Sequence, residues 1–319
     1  MNTAIEAWQE ALFCVADLER WALFWTTVAD WEVLHRGAVG RDWLNTWQLP
    51  QGATAEELLL GQPGQQAGHI RLIQLQGVEQ QHMRSGGQIW ETGGWFDINV
   101  RVREIEIVQR AVLNQGWVAL ADPVPMQMGP VRVKEWIARG PDGIAVAFIE
   151  RLEPPLQGFP EFSTISRVFN ATQIVRDEAA SREWYENQLG FDVFIDTPGP
   201  GADGGPNVFG LPHNLIQNIP SHLLLLHPQG EPIGSIEFCS FATLSGRDFS
   251  AKTRMPNLGI VSLRFPVNDI AGLADKLRNT LTDEQWVAPL ATRPFAPFGT
   301  RECFILRGPN GEWVEFFAA

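Results

Sequence analysis

Cysteine is scarce in this chain. Cys14, Cys239 and Cys303 are three in number, far apart and set in strand-like runs. That spacing argues against a disulfide scaffold and against a zinc cage, and leaves buried free thiols as the expectation. Basic residues are also few: 24 Lys and Arg stand against 37 Asp and Glu, a net charge of −13. Such a balance argues against nucleic acid and against anionic membrane surfaces as partners. No apolar run reaches the roughly 18 residues of a transmembrane segment. The first residues place Glu6 and Glu10 early and show no signal-peptide pattern, so a cytoplasmic protein is expected. What remains is an ordinary globular composition. Hydrophobic residues make up 45% and charged residues 19% of 319, enough for a sizeable core and roughly two domains.

The most informative feature is a pattern met four times. A strand-like run ends in Val-x-Asp/Glu and passes straight into a helix, with Val15, Val102, Val175 and Val267 as anchors spaced by 87, 73 and 92 residues. That length is too great for a solenoid unit and suits a small α+β module. The modules pair at a second level. Val15 to Val175 is 160 residues, Val102 to Val267 is 165, and Gly140-Pro141-Asp142-Gly143 returns as Gly308-Pro309-Asn310-Gly311 after 168. Gly68-His-Ile-Arg returns as Gly234-Ser-Ile-Glu after 166.

The fourth module shows the plan most clearly. A β-branched run over 258–267 predicts a strand. Asp269 then sits where a helix N-cap belongs, ahead of apolar positions at helical spacing through Leu277. A short strand near 286–288, a loop over 289–297, and strands over 301–306 and 313–317 around the Gly308–Gly311 turn complete a β-α-β-β-β order. The third module repeats it from 168 to 241, with a Gly- and Pro-rich insertion from Pro198 to Pro206. The second module runs from 95 to 152, and the first is the least regular. Pro154-Pro155 marks a linker over 154–162, which separates an N-terminal domain over 1–153 from a C-terminal domain over 163–319.

Tryptophan is in excess, with 13 residues against a single tyrosine, Tyr185, and ten of them precede residue 150. Two readings stand: bulky aromatics filling the core and the contacts between modules, or rings lining an apolar pocket for an aromatic ligand.

The run Val175-Arg176-Asp177, Trp184-Tyr185 and Leu189-Gly190-Phe191 resembles the first strand and helix of the vicinal oxygen chelate superfamily. Gly308-Pro309-Asn310-Gly311-Glu312-Trp313-Val314-Glu315 resembles its last strand. That superfamily includes glyoxalase I, methylmalonyl-CoA epimerase, extradiol dioxygenases, and the bleomycin- and fosfomycin-resistance proteins. The resemblance implies an α+β fold of four βαβββ modules. They would form two cupped eight-stranded mixed sheets, one per half of the chain, with helices outside.

It also implies where chemistry sits. Members with a metal place ligands five residues ahead of the strand-one Val and in each closing strand. Carried over residue by residue, these slots hold Asn170, Glu237, Ser262 and Glu315 in the C-terminal half, and Glu10, Arg71, Asp97 and Ala147 in the N-terminal half. No slot holds His, which disfavours the two-His, one-carboxylate iron site of an extradiol dioxygenase. Arg71 and Ala147 argue against a metal in the N-terminal half. In the C-terminal half Glu237 and Glu315 are expected to face one cavity, and three readings stay open. They bind a divalent metal (Mg, Mn, Zn or Fe), they share a proton as a metal-free acid/base pair, or each is paired with Arg264, Arg301 or Arg307.

The function implied is a glyoxalase-like lyase or isomerase acting beside a carbonyl of a small, apolar or aromatic substrate. Glu315 would be the base, Glu237 an acid or ligand, and Asn170, Ser262, His213, Arg71 and Asp97 would contact substrate. A metal-free sequestering protein for an aromatic compound is the alternative, and a dioxygenase-like member without its iron ligands a third. A homodimer is compatible with each.

Overall fold

The computed structural model describes residues 4–119, 121–128, 131–199, 204–228 and 233–319. Each module is built from the alternation of its strands. In the first, β1 (Glu10–Cys14), β2 (Glu32–Ala38), β3 (Thr54–Gly61) and β4 (His69–Gln76) surround α1 (Leu18–Thr27) and the short α2 (Arg41–Thr46). The second holds β5 (Trp95–Val102), α3 (Ile105–Asn114), β6 (Val118–Ala119), β7 (Val124–Met128), β8 (Val131–Arg139) and β9 (Ala145–Glu153). The third holds β10 (Ile165–Ile174), α4 (Glu178–Arg182) running into a π-helical turn over Glu183–Gln188, β11 (Phe191–Pro198), β12 (Ser221–Pro228) and β13 (Ser235–Phe241). The fourth holds β14 (Gly259–Val267), α5 (Ile270–Arg278), β15 (Trp286–Pro294), β16 (Thr300–Arg307) and β17 (Trp313–Ala318).

The helix starts follow from the sequence. Asp17, Asp177 and Asp269 each accept a hydrogen bond from the backbone N–H three residues on, and so satisfy one of the donors a helix N-terminus leaves open. The expected loop over 289–297 is instead mostly strand, since β15 continues to Pro294. It lies at the sheet edge with register shifts on both sides of Ala288, where Pro289 takes no ladder bond from a neighbour.

Two sheets result. One has the order β15-β16-β17-β14-β1-β4-β3-β2. The other has the order β11-β12-β13-β10-β5-β9-β8-β6, with β7 on β8. The first joins modules one and four, and the second joins modules two and three. The expectation that each half of the chain closes its own cup is therefore corrected: both sheets cross the boundary at 154–162. The central strand pairs give a physical reason. β1 meets β14 with Glu10 opposite Arg264, and β5 meets β10 with Asn99 opposite Asn170 and Asp97 opposite Thr172. Pairing module one with module two would set Glu10 against the Asn99 strand and leave Arg264 buried without its carboxylates.

The helices cover the convex side of each sheet, and there the two cups meet in one core. Phe24 of α1 lies against Trp117 and Phe148 of module two, and Phe191 of module three lies against Phe265 of module four. Eleven of the tryptophans are buried, which favours the core reading of their excess. Gly68 and Gly234, the start of the matching tetrapeptides, both have positive φ, and a Cβ there would strike the neighbouring module at Val168 and Ala7 respectively.

A polar chain also ties the cups. The Tyr185 hydroxyl donates to Glu312 at 2.9 Å and accepts from Gln173 at 3.0 Å, and Asn310 donates to Gln173 at 2.9 Å. Burial pushes the Glu312 carboxyl up to about 7. Tyr185→Phe should cost about 1–3 kcal/mol in urea unfolding, because it strands buried groups on both sides. A change within about 0.5 kcal/mol, as at an ordinary surface position, would remove this network from what joins the cups. Among the described residues, no helix is long and apolar enough to cross a membrane.

Candidate functional site

The eight slot residues fall into two clusters, four per cup, and the clusters differ in kind. The first cup gathers Glu10, Arg71, Ser262 and Glu315, with Arg264 between them. Arg71 donates through Nε to both oxygens of Glu10 at 3.0–3.1 Å and through Nη1 to Glu57 at 2.7 Å. Arg264 donates to Glu10 at 2.8 Å and to Glu315 at 2.6 Å, and the Ser262 hydroxyl donates to Glu315 at 2.6 Å. The charges alternate along the chain Glu57, Arg71, Glu10, Arg264, Glu315. Glu10, Arg71, Ser262, Arg264 and Glu315 are all 3% exposed or less.

The sequence between β2 and β3 seals this interior. α2 carries Trp43 into the cup, and the Arg264 guanidinium stacks on Trp43 and Phe295 at 4.8 and 4.6 Å. Trp47, Leu44 and Leu49 fill the remaining space beside Leu12, Val261 and Ile305. Burial works against the Glu10 charge, but Arg71 and Arg264 outweigh it and hold the carboxyl down at about 2. A metal does not fit here, because two guanidinium groups already occupy the carboxylates at the slots.

The second cup gathers the other four. Asp97, Asn99 and Arg101 alternate along one face of β5, and Ala147, Ile149 and Arg151 share that face on β9. Glu135 lies opposite Ile149 on β8, and Glu237 lies opposite Thr172 on β13. The opposite faces, with Ile98, Val100, Val146, Phe148, Ile236 and Phe238, belong to the shared core. The polar face is therefore the concave one. Asn99 donates to Asn170 at 2.7 Å and to Thr172 at 3.0 Å, and Asn170 donates to Ser235 at 2.8 Å.

Three carboxyls on three strands dominate the electrostatics. Burial pushes Asp97 up to about 7, against hydrogen bonds from Thr172 and the charge of Arg84. Burial and the neighbouring Asp97 push Glu135 up to about 8, partly offset by Arg101. Burial, Glu135 and Asp97 together raise Glu237 well above the usual carboxylate range. Glu135 and Glu237 keep partial exposure, unlike the sealed residues of the first cup. A metal does not fit this slot set either. Ala147 offers no ligand atom, the Asn170 oxygen is taken by Asn99, and no group of three His, Cys, Asp or Glu among the described residues has metal-ligand spacing.

The expectation that Glu237 and Glu315 share one cavity is corrected: they lie in different sheets, β13 and β17. Of the expected partners, Asn170 and Asp97 sit near Glu237, while Ser262 and Arg71 sit with Glu315. Glu315 is paired with Arg264, one of the arginines foreseen for it. The His213 side chain is exposed on the segment after the Pro198–Pro206 insertion, whose residues 200–203 lie outside the described residues. The sequence reading missed Asn99, Arg101, Glu135 and Arg151. Alternation along β5 from Asp97 would have found Asn99 and Arg101.

A cavity of about 440 Å³ lies on the flank of module three, lined by Trp90, Glu178, His222, Ser240, Phe241 and Leu244. It and the carboxyl cluster do not coincide. The carboxyl cluster is the better candidate, because Glu178 and His222 of the cavity are already paired. Glu178 binds Arg182 at 3.1 Å, His222 at 2.8 Å and Ser240 at 3.2 Å.

No family model matches the sequence, and no curated protein matches it. Solved structures do match in fold. Glyoxalase I from Zea mays is similar with a TM-score of 0.65 at 14% identity, over 98% of this chain and 92% of that one. A protein from Bacillus subtilis subsp. subtilis str. 168, provisionally assigned as a dioxygenase, is similar with a TM-score of 0.63 at 13% identity, over 99% and 86%. Identities this low speak for the fold and not for a reaction. With two βαβββ modules curled into each cup and a match that runs the length of the chain, the protein has the vicinal oxygen chelate fold.

Proposed function

We propose that the second cup transfers a proton beside the carbonyl of a small substrate, as a lyase or isomerase, with Asp97 as base and Glu237 as acid. The observation that carries this reading is the trio of mutually coupled carboxyls on the concave face, held apart in acidity by their surroundings. Asp97 alone of the three accepts from Thr172, so the first negative charge of the trio settles there. Glu237 has no such donor among the described residues and keeps its proton. Environments that split like groups in this way assign acid and base.

The step needs no co-reactant. The Asp97 carboxylate takes the proton from the carbon next to the carbonyl, and the C–H pair becomes the C=C bond of an enol. The Glu237 carboxyl gives its proton to the carbonyl oxygen. Where the deprotonated carbon itself bears a hydroxyl, return of the Asp97 proton to the former carbonyl carbon and loss of that second hydroxyl's proton to Glu237 moves the C=O by one carbon and completes an isomerisation. Return of both protons to their origin gives exchange alone. Glu315, earlier expected as the base, is held by Arg264 and Ser262 and takes no part.

The test is deuterium uptake. In D₂O at pH 7.5, the protein should wash deuterium into the carbon acid position of some members of a panel of 2-oxo acids, hydroxyketones and aryl ketones, read by proton NMR. Glu237→Gln should slow this by about 10²–10⁴-fold. Lack of exchange with every member, or a Glu237→Gln protein as fast as the parent, would overturn the reading. The rate should climb as Asp97 ionises near pH 7 and fall at higher pH, once Glu237, raised well above the usual carboxylate range, gives up its proton.

A further inference from the structure

We infer that Arg101 and Arg151 form an oxyanion-binding subsite in the second cup, so that the substrate carries a carboxylate or phosphoryl group besides its carbonyl. The inference rests on the proton-transfer reading for the position of the carbonyl, and on separate observations for the anion.

Buried guanidinium groups are expected to be paired. The first cup obeys this: Arg71 and Arg264 place their donors on carboxylates and on the Ala296 carbonyl at 2.6–3.1 Å. The second cup does not. The Nε atoms of Arg101 and Arg151 are both buried and have no hydrogen-bond partner among the described residues. Arg101 makes no side-chain hydrogen bond or ion pair among the described residues; its guanidinium carbon lies over the Phe169 ring, 4.2 Å from the centroid. Among the described residues, the side-chain hydrogen bond of Arg151 is a long 3.5 Å approach to the Pro154 carbonyl.

Strand register places them together. Arg101 lies beside Ile149 in the parallel β5–β9 ladder, and Arg151 is the next residue of β9 on the same face. Arg151 is also the largest charge effect on Arg101 after burial, and the two lower Arg101 to about 10. Two like charges side by side, each with a buried Nε unused, favour the arrival of an anion. Phe159 and Phe169 pack edge to face at 6.0 Å at this end and shield it. Glu135 and Glu237 feel the charge of Arg101, but none of the trio forms an ion pair with either arginine among the described residues. Two guanidinium forks on one wall suit the paired oxygens of a carboxylate or phosphate. The chain then presents an anion grip on β5 and β9 and proton-handling carboxyls on β5 and β13 of one concave face.

Calorimetric titration of the parent protein with 2-oxobutanoate, methyl 2-oxobutanoate and inorganic phosphate tests this without any variant. The acid should bind at least about tenfold more tightly than its ester, and its affinity should fall as salt rises. Binding by phosphate as tight as the acid would identify a phosphoryl group as the anion, and weaker phosphate binding a carboxylate. Arg101→Met and Arg151→Met should each weaken the anion about tenfold or more and leave the ester unchanged. An ester that binds as well as the acid, no binding of either anion, or anion affinity untouched by both substitutions would overturn the subsite. Anions that bind through these arginines without deuterium uptake by any carbon acid would instead overturn the catalytic reading alone.

Discussion

Arg264→Met should destabilise the protein by about 3–5 kcal/mol, the range found when one partner of a buried ion pair is removed. The side chain is 3% exposed and holds Glu10 and Glu315 together, neither of which can reach water. Its loss leaves two carboxylates facing each other across a closed cup with only Arg71 and Ser262 to answer them. Urea unfolding at neutral pH measures the cost. Adding Glu10→Gln to Arg264→Met should recover part of it, because one uncompensated charge disappears. A loss below about 1 kcal/mol for the single variant would mean that the chain of charges is not what holds the first cup shut.

The same cluster sets an acid limit. The folded carboxyl of Glu10 titrates at about 2 against an ordinary 4.5. The unfolded chain therefore binds more protons between these values, and stability rises with pH across that window. The contribution is complete above about pH 5 and is lost as pH falls toward 2. A shift of this size corresponds to about 3 kcal/mol. Glu10→Gln should flatten this part of the stability–pH curve.

Asp97→Asn should do two opposite things: slow deuterium uptake by about 10²–10⁴-fold and make the protein more stable above neutral pH. The carboxyl is 2% exposed, and its folded value is raised from 3.8 to about 7. Between those limits the unfolded state ionises and the folded state does not, so stability falls as pH rises and stays reduced above about 7. An amide carries no such cost and still accepts from Thr172. The gain should be absent below pH 4 and reach about 2–4 kcal/mol at pH 8, given the coupling within the trio. Paired urea curves at pH 4 and pH 8 measure it. A residue placed for packing alone would lose stability on substitution. Gain of stability with loss of turnover is the mark of a strained functional group. A difference from the parent that is the same at pH 4 and pH 8 would show that the folded Asp97 carboxyl is not raised above its unfolded value.

Much of this molecule was legible from local pattern. The caps at Asp17, Asp177 and Asp269, the strand-one runs and the Gly308–Gly311 turn are short-range features, and the backbone obeyed them. The short α2, the edge strand β2 and the continuation of β15 past Pro289 were not read, for their local signals are weak and packing decides them. Alternation placed the slot residues on inward faces in both cups.

Which slots meet was a different matter. Four modules, their order of strand and helix, and eight inward positions without histidine could be read along the chain. Only the tertiary structure decided that module one joins module four and module two joins module three. Strand pairing is a long-range choice, made by the fit of Glu10 to Arg264 and of Asn99 to Asn170 across residues far apart in the chain. That choice placed an arginine opposite the strand-one slot of the first cup and an asparagine opposite that of the second. A guanidinium between two carboxylates neutralises and closes one cavity. An amide satisfies its neighbours, carries no charge, and leaves the carboxyls of the other cavity to compete for protons.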